Sequence, residues 1–150
     1  MNNVIESLLI REIRIEDAQR LSEIQASITK SPLDFDFKDI IEEQVRRSEN
    51  ASYVAEMNGK VVGYMISFVV YGGYGVEKSA WIATLGVDPK FMGRGVGKKL
   101  ADKILDRYRD LGIKKIYTSV RWDSADLLSF FKTLGFARSD FINLMKEIDL

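Results

Sequence analysis

Residues 87–97 read Val-Asp-Pro-Lys-Phe-Met-Gly-Arg-Gly-Val-Gly, and this stretch is the most informative part of the sequence. An apolar, strand-like run leads into it and a helical pattern leads out of it. Its three glycines, at alternate positions, let the backbone pass close to a ligand. The helix that follows directs unpaired N–H groups and the positive end of its dipole at the same loop. With Arg94, Lys98 and Lys99 beside it, the stretch predicts a site for a polyphosphate.

The composition predicts one globular domain over residues 1–150, in which any polyanion must be bound at a local site. The chain is 46% hydrophobic and 29% charged, which is enough apolar material for a core. Lys and Arg number 22, as do Asp and Glu. No net field therefore draws the protein to nucleic acid or to a membrane, and we expect neither as a partner.

Two residue types are absent, and their absence narrows the chemistry. The sequence has no cysteine and no histidine. Disulfides, thiolate or imidazole metal ligation, a cysteine nucleophile and a Ser-His-Asp triad are all excluded, and we expect no metal. A catalytic proton acceptor would have to be a carboxylate, Tyr, Lys, a substrate group or water. With no membrane-length apolar run and no secretory signal in residues 1–7, a cytoplasmic location is expected.

The hydrophobic patterns predict a mostly antiparallel sheet flanked by helices, an α+β fold. Asn58-Gly59 joins two strand patterns and predicts a tight hairpin. Gly112 and Gly135 end two helical patterns, and Ser31-Pro32 breaks an earlier one. The predicted strands are 8–15, 52–57, 60–71, 79–87, 113–120 and one or two within 136–148, and the predicted helices are 16–30, 37–47, 95–111 and 124–134. The predicted order is β1-α1-α2-β2-β3-β4-α3-β5-α4-β6-β7.

Two common nucleotide-binding loops do not fit residues 87–97. A Walker loop places four residues between its first glycine and Gly-Lys-Ser/Thr, whereas Gly93 and Gly97 are separated by three, and Lys99 stands where the hydroxyl is needed. A dinucleotide fingerprint would need its third glycine at Lys98.

The chain resembles the GCN5-related N-acetyltransferase (GNAT) superfamily over nearly its whole length. Residues 85–89, Leu-Gly-Val-Asp-Pro, look like the family's strand end, and residues 92–97, Met-Gly-Arg-Gly-Val-Gly, look like its pyrophosphate loop. Residues 134–136, Leu-Gly-Phe, look like its late turn. The resemblance implies the acyl-CoA N-acyltransferase fold and acetyl-CoA as cosubstrate. It also implies strands splayed around a bulge at residues 85–87, where backbone N–H groups hold pantetheine and polarise the thioester carbonyl for direct attack by an amine.

The resemblance also implies which residues would hold coenzyme A. They are Leu85, Gly86, Val87, Met92, Gly93, Arg94, Gly95, Val96, Gly97, Lys98, Ser124 and Phe131. Position 92 is Met where the family prefers Gln or Arg, and Ser124 stands where an Asn is common, so that Ser124 is read equally as a cofactor contact or a helix cap.

The side chains that the family uses for proton transfer are missing. Phe131 replaces the Tyr that protonates the thiolate in many members, and Trp81 and Ser119 replace two Glu bases. The remaining catalytic candidates are Asp123, Tyr64 and Tyr71, for which a helix cap, a core residue and a wall of the acceptor site are the competing interpretations.

Two functional hypotheses therefore stand. The first is an N-acetyltransferase acting on a primary amine of a small molecule, peptide or protein, with the acyl group left open between acetyl and longer chains. The second, its alternative, is a catalytically weak or inactive acyl-CoA-binding or regulatory domain. The sequence does not identify the amine. The apolar residues Phe136, Phe141, Ile142 and Leu144 are read either as a homodimer contact, which is common in the family, or as core.

Overall fold

The computed structural model describes residues 7–29, 36–75 and 77–149. In this part of the chain a mixed sheet of five strands is flanked by four helices. The elements, in chain order, are β1 (Leu8–Glu12), α1 (Ala18–Thr29), α2 (Phe37–Arg46), β2 (Tyr53–Met57), β3 (Lys60–Tyr71), β4 (Lys78–Val87), α3 (Val96–Asp110), β5 (Ile116–Thr118) and α4 (Ala125–Thr133). This is the predicted α+β architecture as far as α4.

The strands lie in the order β1-β2-β3-β4-β5. The first three pairs are antiparallel and only β4 and β5 are parallel. Asn58 and Gly59, at φ 54 and 80, make the turn between β2 and β3. Positive φ at both central residues is the signature of a type I′ hairpin turn, which the Asn-Gly pair predicts.

The sheet carries a separate apolar cluster on each face. On one face, α1 and α2 bury Leu21, Ile24, Phe37 and Ile41 against the sheet. On the other, α3 and α4 bury their apolar sides, and that cluster contains Leu100, Ala101, Ile104, Tyr108 and Phe131. Each large side chain removed from water contributes about 1.5–3 kcal/mol, so both layers hold the sheet in place.

Glycines end two of the helices as the sequence predicts. Gly112, at φ 75, follows α3, and its N–H donates to the Arg109 carbonyl at 3.0 Å. Gly135, at φ 89, follows α4 in the same way. The start of α1 differs slightly, because residues 15–17 form a 3₁₀ turn and α1 begins at Ala18. The predicted break at residues 31–32 lies outside the described residues.

The expected bulge is present in β4 but lies earlier than predicted. The β3–β4 register passes from Ile66 opposite Thr84 to Ser67 opposite Ile82, which leaves Ala83 as the extra residue. The bulge therefore precedes residues 85–87 instead of containing them, and the prediction is corrected by two residues. A bulge bends its strand, so β4 changes direction at Ala83.

The parallel pairing of β4 with β5 ends at the same place. It covers only three residues of each strand, from Ala80 opposite Ile116 to Ile82 opposite Thr118. The Thr118 hydroxyl donates to the Ile82 carbonyl at 3.0 Å. Beyond that bond, residues 83–87 have no pairing with β5. The two strands therefore diverge and leave a wedge-shaped opening between them.

The predicted strands within residues 136–148 are wrong for the single chain. Residues 136–149 form no helix or strand. Two side-chain contacts hold this segment beside β5: the Phe141 ring centre lies 6.4 Å from that of Tyr117, and the Asn143 amide donates to the hydroxyl of Ser119, the residue after β5. Apolar content favours a strand, but a strand forms only where a neighbouring strand pairs with it, and the described sheet ends at β5.

Helices of the described part are all too short or too polar to cross a membrane.

Candidate active site

The end of β4 presents backbone groups to the wedge. The Asp88 N–H donates to the Val62 carbonyl of β3 at 2.8 Å. The backbone N–H groups of successive residues in an antiparallel strand point to opposite edges. The Gly86 N–H therefore also points toward β3, whereas the N–H groups of Leu85 and Val87 point away from it. On the side away from β3, these residues are no longer paired with β5. The N–H groups of Leu85 and Val87 are therefore placed to bind a chain inserted into the opening.

The loop after β4 leads directly to the N-terminus of α3. Gly93 and Gly95, at φ 78 and 77, adopt the left-handed conformation that glycine favours, and Gly95 is the N-cap of α3. The first helical bond runs from the Lys99 N–H to the Gly95 carbonyl at 3.1 Å. The N–H groups of residues 96–98 therefore have no acceptor within the helix and point toward the loop. This arrangement suits a pyrophosphate.

Two close contacts hold this helix end near the strand end. A Cβ on Gly63 would lie 2.8 Å from the Val96 side chain, so β3 approaches α3 as closely as a glycine allows. A Cβ on Gly97 would lie 3.1 Å from the Phe130 ring of α4. Val96 is buried and can offer a ligand only its backbone, while Gly97 is required for the approach of α4.

The predicted side-chain cations are arranged differently from one another. The Arg94 guanidinium lies 5.3 Å from the Phe91 ring centre and 3.9 Å from the Met57 sulfur, beside the loop. Lys98 is turned along α3, where its ammonium lies 2.9 Å from the Asp102 carboxylate. Met92 is exposed. Backbone amides, with Arg94 beside them, are thus the main feature of the loop.

Ser124 and Asp123 lie at the start of α4. Ser124 is the N-cap by position, but its side chain makes no capping bond. Asp123 does not cap the helix, because its carboxylate forms a double contact with the Arg121 guanidinium, at 3.1 Å for each oxygen. The hydrogen bond from Arg121 holds the pKa of Asp123 below its ordinary value, which makes the carboxylate a weak base.

Phe131 lies in the core. Its side chain is 4% exposed and makes edge contacts with the rings of Phe130, at 5.2 Å, and Phe136, at 5.1 Å. This placement does not support the predicted contact of Phe131 with coenzyme A. The neighbouring Phe130, which the sequence reasoning missed, is the ring that meets the loop at Gly97.

Tyr64 is a core residue as well. It is fully buried, its hydroxyl donates to the Gln25 side chain, and burial raises the pKa of Tyr64 to about 12. Its ring lies against the backbone of Gly86, where a Cβ would come within 2.7 Å of the ring. Tyr64 is therefore unsuited to act as a base, but it packs directly beneath the strand end.

Tyr71 lies at the other end of β3. It is paired with Lys78, seven residues from Leu85, which is roughly 23 Å at 3.3 Å per residue. Its hydroxyl donates to the Glu49 carboxylate, and this bond raises the pKa of Tyr71. The structure does not bring Tyr71 to the strand end and the loop.

The side chains at the two positions where the resemblance implies a Glu, Trp81 and Ser119, make contacts within this chain. Trp81 stacks on Tyr117 with ring centres 5.3 Å apart, and Ser119 accepts the hydrogen bond from Asn143. Within the described residues no group of three or more Asp or Glu side chains is arranged to hold a metal ion. A surface depression of about 470 Å³ lies away from the loop, between β1 and the second half of α3.

Comparison with known families agrees with this geometry. The model of the acetyltransferase (GNAT) family matches residues 15–136. The chain belongs to this family, and it is accordingly an N-acetyltransferase that uses acetyl-CoA.

Solved structures share the fold at low sequence identity. The aminoglycoside N-acetyltransferase AAC(6')-Iy in complex with CoA aligns with a TM-score of 0.81 at 15% identity, covering 98% of this chain and 99% of that one. The aminoglycoside acetyltransferase meta-AAC0020 from an uncultured soil metagenomic sample has a TM-score of 0.78 at 18% identity, covering 95% and 97%. A transcriptional regulator from Bacillus halodurans C-125 has a TM-score of 0.79 at 20% identity, covering 95% and 100%.

Proposed function

We propose that this protein transfers an acetyl group directly from acetyl-CoA to a primary amine of a small molecule or peptide, with no covalent enzyme intermediate. The observation that carries the proposal is the juxtaposition of the strand end Leu85–Val87, which pairs with β3 but not with β5, with the loop and helix N-terminus at residues 93–98. When bound, acetyl-CoA supplies the activated acetyl group. The Leu85 and Val87 N–H groups donate to pantetheine and to the thioester carbonyl, and the loop amides hold the pyrophosphate.

Backbone groups and positioning carry most of this catalysis. The candidates for a side-chain base are weak, because Asp123 is paired with Arg121 and Tyr64 is buried with a raised pKa. The acceptor amine loses its proton to water, and the thiolate leaves without a tyrosine donor. That step is feasible because the pKa of a thiol is only slightly above neutrality, so the lost Tyr lowers the rate modestly.

Polyamine sugars are the first acceptors to test. Two of the similar structures are described as complexes with sisomicin and with the bisubstrate analog CoA-S-monomethyl-acetylneamine. The experiment measures thiol release from acetyl-CoA over a panel of aminoglycosides, linear polyamines, amino acids and short peptides. Propionyl-CoA, run beside acetyl-CoA, tests the acyl chain. Steady turnover with one amine class supports the proposal; CoA binding without turnover on any amine would leave the alternative, an acyl-CoA-binding domain.

A matched pair of glycine variants tests the cofactor site. Gly95 and Gly112 flank α3, both have φ near +75, and a Cβ at either would meet no atom within 4 Å. Alanine therefore introduces similar backbone strain, on the order of 1–2 kcal/mol, at the two ends of one helix. We expect Gly95→Ala to raise the KM for acetyl-CoA about tenfold, as a loss near 1.4 kcal/mol would. Gly112→Ala should lower Tm similarly and leave that KM unchanged.

We also infer a homodimer formed through the segment 136–149. Four of its apolar side chains, Ile142, Leu144, Met145 and Ile148, are 75% to 88% exposed. The outer side of β5 has no strand beside it in the described chain. A second copy that covers both features would remove this surface from water, as exposed apolar segments of this kind require.

A further inference from the structure

We infer that Arg20 of α1 is a positioning residue for the coenzyme A loop, acting through Asp88. The inference rests on the proposed function of that loop. Arg20 is 68 residues from Asp88 in sequence, and its role would be to set the binding of acetyl-CoA without touching it.

Arg20 joins three parts of the molecule. Its Nη2 donates to the Asp88 Oδ2 at 2.6 Å, and its Nε donates to the Val61 carbonyl of β3 at 2.8 Å. A third, longer contact of 3.4 Å reaches Glu23 one turn along α1. A guanidinium that donates in two directions fixes the relative position of its partners better than a point charge does. Arg20 therefore ties α1 to β3 and to the end of β4 together.

Asp88 passes this constraint to the loop. Its other carboxylate oxygen accepts the Lys90 N–H at 3.0 Å, and its carbonyl accepts the Phe91 N–H at 2.8 Å. These bonds stabilise the 3₁₀ turn Pro89–Phe91, which leads directly into the loop at Gly93. Burial alone would raise the pKa of Asp88, but the bonds from Lys90 and Arg20 outweigh it and hold that pKa below its ordinary value. With Asp88 only 8% exposed, loss of Arg20 removes the cation hydrogen-bonded to a nearly buried carboxylate and leaves it with the weaker attraction of Lys60.

A second contact from α1 reaches the same strand end. Gln25 accepts the Tyr64 hydroxyl, and Tyr64 is paired with Gly86 across β3 and β4. Arg20 therefore contacts Asp88 directly, and Gln25 holds the Tyr64 ring that packs on Gly86, so α1 supports the strand end on either side of Val87. Rigid placement of Leu85–Val87 relative to the loop is what a ligand bound to both requires, because small displacements of a binding group are costly.

The chain contains a matched control for a purely structural ion pair. Arg11 of β1 donates to both oxygens of Asp17, at 2.7 and 2.9 Å, and to Glu56 at 2.9 Å. The Arg11 and Asp17 side chains are 15% and 7% exposed, against 21% and 11% for Arg20 and Asp88. Arg11 lies on the edge strand β1 and Asp17 in the 3₁₀ turn before α1, and their hydrogen bonds go to residues outside the loop.

The test measures CoA dissociation constants by calorimetry, KM and kcat with the best acceptor, and Tm for four variants. We expect Arg20→Met to weaken CoA binding and raise the KM for acetyl-CoA by about tenfold or more, the cost of losing a hydrogen bond to a charged group. The kcat at saturation should change little. Arg20→Lys should recover much of the binding, and Asp88→Asn should weaken it in the same direction, which provides a second route if Arg20→Met folds poorly. Arg11→Met should lower Tm without weakening CoA binding.

Equal effects of Arg20→Met and Arg11→Met on CoA affinity, or no effect of Arg20→Met, would overturn the inference. Its failure is separable from failure of the proposed function. A wild-type protein that binds CoA but acetylates no amine removes the proposed reaction, while the comparison of CoA affinities still decides the role of Arg20.

Discussion

Neither of the candidate bases Asp123 and Tyr64 is suited to accept a proton near neutral pH. Asp123 is held ionised by Arg121, and burial raises the pKa of Tyr64 to about 12. The sequence contains no histidine or cysteine, the two types that usually titrate in this range. In the reaction proposed above, the acceptor amine must lose its proton before attack, so its ionisation is expected to control the rate.

We therefore expect log kcat/KM to rise with pH with a slope near one and to level off at the pKa of the acceptor, with no enzyme pKa between about 6 and 9. The measurement is a pH–rate profile with two acceptors whose amine pKa values differ. A bell-shaped profile, or a rising limb that stays at the same pH for both acceptors, would contradict the expectation.

The stability of the protein in acid depends in part on the ionisation of Asp88. The pKa of Asp88 is lower in the folded protein than its ordinary value. Its contribution to stability is therefore present above the unfolded pKa, near 4, and is lost as the pH falls through the folded value. The ion pair of Asp88 with Arg20 is therefore expected to stabilise the loop at every pH where acetyl transfer would be assayed.

Contacts between elements determine the geometry of the strand end. Tyr64 of β3 lies so close to β4 that only glycine fits at position 86, since a Cβ there would be 2.7 Å from the Tyr64 Cε1 and 2.9 Å from its hydroxyl. The ring is fully buried and also contacts Phe37, with ring centres 5.3 Å apart, so it has little room to move. The strand end is thus supported from below by an aromatic ring.

We expect Gly86→Ala to reduce the free energy of unfolding by about 1–3 kcal/mol, as overpacking does, and to raise the KM for acetyl-CoA because β4 must shift. Denaturant unfolding and steady-state kinetics measure the two effects. The control is Tyr64→Leu, in whose background the alanine should cost clearly less than in the wild type. Additive effects of the two substitutions would show that the contact does not govern the strand end.

In the molecule as a whole, the segment after α4 forms no helix or strand and exposes apolar side chains to water. The side chains of Phe141 and Asn143 hold it beside β5, while Ile142, Leu144, Met145 and Ile148 are exposed. We expect the full-length protein to sediment as a dimer at micromolar concentration. Removal of residues 139–149 should give a monomer and leave the α-helical circular dichroism signal intact. A full-length protein that remains monomeric up to about 100 μM would contradict the homodimer, because stable interfaces hold at far lower concentrations.

Local features of the fold follow from the sequence alone. The hairpin at Asn58-Gly59, the helix ends at Gly112 and Gly135, and the glycine loop before α3 are all predicted correctly, because positive φ at defined positions is a requirement that few residues meet. The family also follows from the loop and the strand end, since their residues are contiguous. No neighbour distant in the chain is needed to recognise these features.

The tertiary structure alone decides the rest. The bulge at Ala83 depends on the register between two strands, the burial of Phe131 depends on Phe136 and on α4 packing, and whether the segment 136–149 forms a strand depends on a neighbouring strand to pair with. The contact between Arg20 and Asp88 spans 68 residues and has no local signal. Local conformational preferences are encoded within a few residues, whereas register, burial and ion pairing depend on which distant segments the fold brings together.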